Sequence, residues 1–510
     1  MKVMDNKNIA KSTIIITILM ICFKVLGFIK QIVIADVYGA TIETDIYYIA
    51  SGFVSGIIES IVKAFFVSIV AVYTNIRITE GKEKSSKLVN ALLEILIPVF
   101  LVITSIVSIT APCLSIILAP SFSGTQKDIL AVFIRILSPL VFFGVFELVF
   151  CAVLDSHKQF LLSHSKSFIY SLSVIFSCLF LSSHYGIYAL VIAEFISCIF
   201  FTFVLFFGVK KLHEFSLVSL KENPELKSVL LTAVPLIIGN SALQINQIVD
   251  KSVASNLGTG VASALSYCHI LDQFVTSVLI MNISNIIFAN FAEFVAKGKT
   301  ETLETTLSKA LNIMICFLSG VSVITLACSK DIVTLVYYRG SFSNEAVNLT
   351  ALALMGYALS FVTVAIRDLT IKSLYAFKDT KKPMIVTIVS VTINIVFSII
   401  ISRYLGIFGI SFATSISAAI GMILSVIFLR NYMINYSFLD HFYEMMRCLP
   451  GIIVLSVICL IIHKTNVTNP LIVFVTSVVI GMPIYFLVLS FTKSRGMKEL
   501  ISLIRIGLRR

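Results

Sequence analysis

Long apolar stretches alternate with short polar ones along most of the chain. A helix needs about 20 mainly apolar residues to cross a bilayer, and the pattern predicts fourteen such helices. The predicted spans are 12–36, 44–75, 87–111, 128–154, 159–181, 185–209, 226–250, 260–292, 303–327, 346–376, 383–403, 406–429, 448–463 and 470–491. The sequence therefore predicts an all-α polytopic membrane protein with about 14 transmembrane helices.

Composition supports the same class. Of the 510 residues 58% are apolar and only 13% are charged, whereas about a quarter of the residues in a typical soluble protein carry charge. The first apolar stretch, from about Ser12 to Tyr38, is long and lacks a small-residue cleavage site. We therefore expect a retained first helix and not a cleaved signal peptide.

The lysines and arginines between spans are concentrated on one predicted side of the membrane. That side holds Lys2, Lys7, Lys11, Arg77, Lys82, Lys84, Lys87, Lys210, Lys211, Lys221, Lys227, Lys297, Lys299, Lys378, Lys381, Lys382, Arg430, Arg447 and the C-terminal arginines. Few lie opposite, among them Lys127, Lys330 and Lys464. The positive-inside rule then predicts a multi-pass inner-membrane protein with both termini in the cytoplasm. The net charge of +12 indicates contact with anionic lipids and not with nucleic acid.

The chain resembles itself at a spacing of about 220 residues. The matching pairs include Gly39 with Gly258, Leu88 with Leu307, Ser121-Phe122-Ser123 with Ser341-Phe342-Ser343, Gly186-Ile187 with Gly406-Ile407, and Ala193 with Ala413. Several coincidences at one offset indicate an internal repeat. Each copy contains six spans, so the two copies have the same orientation and are expected to flank a central substrate cavity.

The repeat divides the chain into four predicted parts. Residues 1–211 form an N-terminal six-helix bundle, and residues 222–430 form a C-terminal six-helix bundle that repeats the first. Residues 447–492 form two extra transmembrane helices, and residues 493–510 form a basic cytoplasmic tail.

Several charged residues fall inside predicted spans, where an ionised group costs roughly 2.5–3.5 kcal/mol. Lys24 and Lys30 share the first span, on neighbouring faces about 9 Å apart. Together with Lys63 and Arg367 they are candidates to line a cationic cavity that binds an anion such as a lipid diphosphate. The alternative is that the embedded charges neutralise one another, as the i,i+4 spacing of Glu59 and Lys63 would allow.

Acidic and titratable groups in other spans are candidates for ion coupling or gating. They are Glu59, Asp250, His269, Asp272 and Asp368. Asp250 belongs to a polar cluster with Gln244, Asn246 and Gln247, for which hydrogen bonds between helices are the simpler explanation.

No enzymatic motif appears. The sequence contains no P-loop, no HExxH and no nucleophile elbow, and the ten cysteines form no CxxC pair. We expect no cofactor, no metal site and no catalytic residue. A transporter driven by a monovalent cation, by the membrane potential or by downstream consumption of its substrate fits better than an enzyme.

Two motifs are similar to those of a known family. One is Lys24-Val-Leu-Gly-Phe-Ile-Lys30, followed by Ala35, Tyr38-Gly39-Ala40 and Thr44-Asp45; the other is the segment 375–383, Tyr-Ala-Phe-Lys-Asp-Thr-Lys-Lys-Pro. They resemble the MurJ/MviN family of lipid II flippases, in the multidrug/oligosaccharidyl-lipid/polysaccharide exporter superfamily. The span count and the repeat agree with this resemblance along the whole chain.

The resemblance implies a V-shaped pair of bundles around a cationic cavity, and an undecaprenyl-diphosphate-linked glycan as substrate. It carries the family's cavity-lining basic residues of span 1 onto Lys24 and Lys30, and its acidic residue of span 2 onto Asp45, which we add to the candidate substrate-binding residues. The expected function is alternating-access flipping of the cell-wall precursor lipid II by a monomer.

The sequence departs from the family at two positions. The further arginines of spans 2 and 8 fall at Ile58 and Ile270. Two other functions therefore stay open: a flippase for another lipid-linked oligosaccharide or exopolysaccharide unit, and a cation-coupled multidrug exporter. A membrane-embedded synthase fits least, because the catalytic acids are missing.

Overall fold

Helices make up all of the regular structure in the computed structural model, which describes residues 6–216, 224–433, 437–465 and 469–508. Within these ranges no strand is present. The chain clusters into two units. Unit 1 comprises Met1–Ser263 with Arg339–Phe342, and unit 2 comprises Ala264–Tyr338 with Ser343–Arg510.

Unit 1 contains ten complete helices. They are α1 (Asn6–Tyr38), α2 (Ile42–Thr79), α3 (Lys82–Leu118), α4 (Gly124–Leu137), α5 (Pro139–Ser156), α6 (Phe160–Ser163), α7 (Lys166–Phe180), α8 (Ser182–Tyr185), α9 (Tyr188–Lys210) and α10 (Pro224–Ser255). Helix α11 (Val261–Val275) begins in unit 1 and continues into unit 2.

Unit 2 contains the remaining helices. They are α12 (Asn282–Ala296), α13 (Thr300–Ala327), α14 (Ser329–Tyr337), α15 (Asn344–Ala358), α16 (Phe361–Ala376), α17 (Lys381–Leu429), α18 (Leu439–Lys464), α19 (Pro470–Thr476), α20 (Met482–Phe491) and α21 (Arg495–Leu508). One turn of π-helix joins α11 to α12, and another joins α19 to α20.

The helices confirm the predicted fold class. Among the described residues, nine helical segments are long and apolar enough to cross a membrane, and the bent pair α15–α16 forms a tenth. Helix α17 alone covers two predicted spans, because the chain stays helical on both sides of Gly406. The total of fourteen spans stays a prediction.

The repeated glycines adopt the same backbone conformation. Gly186 has φ 53° and ψ −140°, and Gly406 has φ 58° and ψ −140°. This region of φ is strained for residues that carry a Cβ, so each copy needs glycine at this bend.

The two Ser-Phe-Ser segments of the repeat also make the same kinds of contact. Phe122 and Phe342 are both buried, and the serine after each one caps the next helix, α4 or α15. The serine before each one donates to a carbonyl at the end of a distant helix: Ser121 to Ser255 in α10, and Ser341 to Val37 in α1. The two segments therefore share one structural role.

Helix α10 packs against α2 in unit 1, although the repeat assigns it to the predicted bundle 222–430. Gly52 and Gly56 of α2 face it. Small residues spaced by four along a helix let a second helix approach closely. Unit 1 therefore includes α10, and the division of the chain into four parts by the repeat stays a prediction.

The predicted basic tail, 493–510, contains helix α21. Buried Glu444 of α18 accepts hydrogen bonds from the backbone N–H of Arg495 at 3.0 Å and of Gly496 at 2.9 Å. A carboxylate satisfies the free N–H groups at a helix start. These bonds hold the start of α21 against α18.

Candidate functional site

Lys30 is buried on the face of α1 that packs against α7. Its Nζ lies 4.0 Å from the centroid of the Tyr170 ring. Phe23 and Gly27, seven and three positions earlier, also contact α7. An ammonium above an aromatic ring is attracted by the negative face of the ring. Lys30 is thus held by a neutral group.

A hydrogen-bonded chain leads from the ring of Tyr170 to a buried carboxylate. The hydroxyls of Tyr170 and Tyr47 lie 2.9 Å apart, and the Tyr47 hydroxyl donates to Glu194 Oε2 at 3.1 Å. Ser51 donates to both Glu194 oxygens, at 2.9 and 3.0 Å. Glu194 therefore accepts hydrogen bonds from neutral donors, and its carboxylate also attracts the Lys30 ammonium over a longer distance. Among the described residues no carboxylate oxygen lies within ion-pair distance of Lys30 Nζ.

Lys24 lies on a different face of α1 and is exposed. Consecutive residues of a helix are separated by about 100°, so Lys24 turns away from the α7 face to which Phe23 and Gly27 belong. The structure thus separates the two predicted lysines into one buried and one exposed ammonium.

Glu59 and Lys63 form an ion pair along α2, with both side chains largely exposed. Glu59 also accepts a hydrogen bond from Gln244 Nε2 of α10 at 3.4 Å. The pair lies beside a cavity of about 60 Å³ in unit 1. The residues that line it are Ile49, Gly52, Phe53, Ser55, Glu59, Leu118, Gln244, Gln247, Ile248 and Lys251. The predicted neutralisation of Lys63 is the observed arrangement.

Lys251 is a further embedded cation of unit 1, and sequence reasoning missed it. Its Nζ donates to the backbone carbonyl of Tyr48 at 3.0 Å. The ammonium lies where a Cβ on Gly52 would be, so only glycine leaves it room. Its sequence neighbour Asp250 is buried and accepts from Asn246 Nδ2 at 3.3 Å. The sequence signal for Lys251 is the polar cluster that directly precedes it, Gln244, Asn246, Gln247 and Asp250.

Asp45 is fully buried and binds backbone N–H groups. Its two oxygens accept from Gly260 and Ser263, each at 2.6 Å. Gly260 approaches the backbone of Ala40 so closely that a Cβ would overlap with it. Both oxygens of Asp45 thus have backbone donors, and the side chain joins the first turn of α2 to the start of α11.

In unit 2, the acidic residue of α16 pairs with a lysine. Asp368 and Lys372 form an ion pair of 2.7 Å. The stem of Arg367 passes Gly421 of α17, where a Cβ would lie 3.0 Å from Arg367 Cδ. In the part of the chain that the structure describes, the Arg367 guanidinium has no hydrogen-bond or ion-pair partner. Lys372 is neutralised, whereas Arg367 keeps its charge.

His269 and Asp272 lie one turn apart on α11, in unit 2. His269 Nδ1 is 4.0 Å from Asp272 Oδ2, and its Nε2 is 3.0 Å from Gln273 Nε2. Asp272 is buried. The structure brings these two predicted coupling residues together.

Ile58 and Ile270, which stand where the resembled family has arginine, lie in different environments. Ile58 is buried, and its side chain lies against Gly144 of α5, beside Phe100 of α3. Ile270 is half-buried. Position 58 is packed among apolar groups, while the neighbouring Glu59 faces the cavity.

The model of one protein family, described as "Lipid II flippase MurJ", matches residues 34–482. The chain belongs to the MurJ family of lipid II flippases. The match extends across both units, and with the apolar helices it identifies a multi-pass membrane protein of a transporter family.

Several named relatives match most of the chain. The lipid II flippase MurJ of Burkholderia cenocepacia is 22% identical and covers 80% of this chain and 81% of its own length. A protein of Rickettsia prowazekii, named as a probable lipid II flippase MurJ, is 24% identical over 80% of this chain and 81% of its own. A third, from Buchnera aphidicola of Acyrthosiphon pisum, is 21% identical over 91% and 92%.

Solved structures share the fold. A lipid II flippase MurJ in an inward closed conformation aligns with a TM-score of 0.80 at 22% identity, over 96% of this chain and 100% of that one. An inward-facing multidrug resistance MATE transporter aligns with a TM-score of 0.68 at 16% identity, over 80% and 94%. At sequence identities of 22% and 16%, the structural similarity shows a shared fold and no more.

Proposed function

We propose that this protein is a flippase that translocates lipid II, a polyprenyl-diphosphate-linked cell-wall precursor, across the cytoplasmic membrane by alternating access. Membership of the MurJ family supports the substrate class. The observation that carries the proposal is the presence of embedded cations, Lys24, Lys30 and Arg367, that form no ion pair with a carboxylate among the described residues.

The proposed role of these cations is to bind the diphosphate. Lys24 is exposed on its helix and supplies a point charge that follows the phosphate oxygens. Lys30 lies about two turns further along, where its Nζ contacts an aromatic ring and forms no ion pair. Arg367 adds a guanidinium, whose fork geometry suits phosphate oxygens. The isoprenoid tail stays in the bilayer, so only the polar headgroup requires a polar path.

The other predicted site residues receive different roles. We assign Asp45 to joining the start of α2 to the start of α11, because backbone N–H groups already occupy its oxygens. We assign Lys63 to an ion pair with Glu59 that borders the cavity. We assign Asp368 to its ion pair with Lys372, and Asp250, His269 and Asp272 stay candidates for ion coupling or gating.

Topology and partners follow the charge distribution. Both termini are proposed to lie in the cytoplasm, where the basic loops contact anionic lipid headgroups. The protein acts as a monomer and as a transporter, not an enzyme, and a monovalent cation or the membrane potential drives the return step.

A second candidate function is transport of another lipid-linked glycan. The apolar surroundings of Ile58 favour it, because a basic residue that contacts the headgroup in the family is replaced here by a packing residue. Such a protein would use the same diphosphate contacts and a different sugar contact.

Complementation separates the two functions. The chain is expressed in a strain depleted of its own lipid II flippase, and the purified protein is reconstituted in liposomes with labelled lipid II. Rescue of growth together with lipid II flipping supports the first function. Flipping of another undecaprenyl-diphosphate glycan without rescue supports the second. Absence of flipping for both substrates refutes the proposal.

A further inference from the structure

Three ligand-type side chains meet in unit 2, outside the residues that we assign to transport. Cys328 follows the last residue of α13, Asp331 lies in the first turn of α14, and His463 lies in the last turn of α18. Their thiol, carboxylate and imidazole ligand atoms all lie within 4.8 Å of one another. This spacing is slightly wider than the one that a bound metal ion imposes.

The two nitrogens of His463 have different neighbours. Nδ1 is 2.8 Å from the carbonyl oxygen of Cys459, an acceptor, so Nδ1 carries the proton. In the neutral ring Nε2 then presents a lone pair, and it lies 2.9 Å from Asp331 Oδ2. A proton on Nε2 makes this contact an ion pair, and a metal ion bound by both atoms would take the place of that proton. A backbone carbonyl that fixes the tautomer is also the usual support of a metal-binding histidine.

A second thiol adjoins the cluster. Cys459 lies one turn before His463, is buried, and neighbours the thiol of Cys328. Thiolate and imidazole together suit Zn²⁺, which takes four ligands in tetrahedral geometry. His463 is exposed and Asp331 is half-buried, so an ion can enter from the surface.

We propose that Cys328, Asp331 and His463 bind one divalent transition-metal ion of the Zn²⁺ class, with Cys459 as the available fourth ligand. In a zinc site the bonds are about 2.0–2.3 Å long, so the ligand atoms lie about 3–4 Å apart. The present cluster needs only side-chain shifts to reach this geometry. The ion would join the end of α18 to the corner between α13 and α14. Sequence spacing gave no signal, because Asp331 and His463 are 132 positions apart.

The test uses the full-length protein in detergent, stripped with a chelator and titrated with Co²⁺ as a spectroscopic probe. We expect one equivalent to bind with a thiolate-to-cobalt charge-transfer band, which Zn²⁺ then displaces. Cys328→Ser weakens the band, Cys328→Ser combined with Cys459→Ser abolishes it, and His463→Gln weakens Co²⁺ binding by about tenfold or more. Cys113→Ser and His184→Gln are matched controls at exposed positions, and both retain the band and the affinity.

A second measurement needs no variant. Zn²⁺ should slow alkylation of Cys328 in the wild-type protein and leave the alkylation of Cys113 unchanged, as read by peptide mass spectrometry. Three results would overturn the proposal. They are a wild-type protein without a thiolate–cobalt band, a disulfide between Cys328 and Cys459 in the purified protein, or alkylation of Cys328 that is indifferent to Zn²⁺.

Discussion

Unit 1 holds some of its embedded lysines by neutral groups, in addition to the ion pairs Lys63–Glu59 and Lys166–Glu147, whereas the embedded lysine of α16 in unit 2 is paired with a carboxylate. In unit 1, Lys30 lies above the ring of Tyr170, and Lys251 donates to the carbonyl of Tyr48. In unit 2, Lys372 is paired with the carboxylate of Asp368. A neutral partner stabilises an ammonium and leaves its net charge in place, whereas a carboxylate cancels it.

This difference separates a structural ion pair from a candidate anion site. A charge-cancelling pair such as Asp368–Lys372 lowers the cost of placing charge in a membrane and leaves no attraction for a distant anion. Cations held by neutral groups keep a positive potential that an incoming diphosphate can meet. By this criterion α1 has two candidates and α16 has only Arg367.

The largest effect is expected from Lys24→Ala combined with Lys30→Ala. Hydrogen bonds to charged groups contribute about 1.5–3 kcal/mol each, so loss of both contacts should slow lipid II flipping by roughly a hundredfold or more. Flipping is measured with labelled lipid II in proteoliposomes. The control is Glu59→Gln combined with Lys63→Gln, which removes an ion pair with no change in net charge and should preserve the rate. Equal rates for the two double variants would remove the distinction between paired and unpaired lysines.

Glu194→Ala tests the buried hydrogen-bonded network that connects Glu194 with Ser51, Tyr47 and Tyr170. The substitution leaves the hydroxyls of Tyr47 and Ser51 without their acceptor, and removal of one charged partner from a buried network costs roughly 3 kcal/mol. The melting temperature in detergent should fall clearly. Glu83→Ala, at an exposed ion pair with Lys87, is the control and should leave it nearly unchanged. A Glu194 variant as stable as the Glu83 variant would contradict the network.

Arg367→Ala isolates the one unpaired cation of α16. One lost contact of about 1.5–3 kcal/mol predicts at least roughly a tenfold slower flipping rate. Exchange of its neighbours, Asp368→Lys with Lys372→Asp, keeps the ion pair and should leave the rate within about twofold. A strong effect of the exchange with no effect of Arg367→Ala would assign the function to the pair.

The smallest effect is expected from Gly52→Ala. The new Cβ displaces the Lys251 ammonium from the Tyr48 carbonyl and should cost about 1 kcal/mol of stability. At Gly239, also in a helix, a Cβ meets no atom within 4 Å, so Gly239→Ala should be neutral or slightly stabilising. The melting temperatures of the two variants are compared by thermal unfolding. If Gly52→Ala leaves the melting temperature unchanged, Lys251 is not confined by α2.

Interactions within one helix were predictable from the sequence. Hydropathy gave the membrane class, and the i,i+4 spacing of Glu59 and Lys63 gave their ion pair. The repeat identified the two Ser-Phe-Ser segments, whose shared role the structure then displays. These features depend on neighbours along the chain, so spacing alone contains the information.

Interactions between helices were not predictable in the same way. Tyr170 and Glu194 lie on α7 and α9, far in sequence from Lys30, and no spacing rule links them. The resemblance suggested Asp45 as a substrate ligand, but its oxygens bind the backbone of Gly260 and Ser263, because the loop after α10 packs there. The partner of a buried charge depends on packing, which one sequence does not specify.

The most direct measurement is equilibrium binding of undecaprenyl diphosphate, the shared part of all such substrates, to the purified protein. If the unneutralised lysines of α1 bind the diphosphate, the double variant Lys24→Ala, Lys30→Ala binds at least about tenfold more weakly than wild type, and added salt weakens the wild type more than the variant. Equal affinities and equal salt dependence for the two proteins would contradict the account.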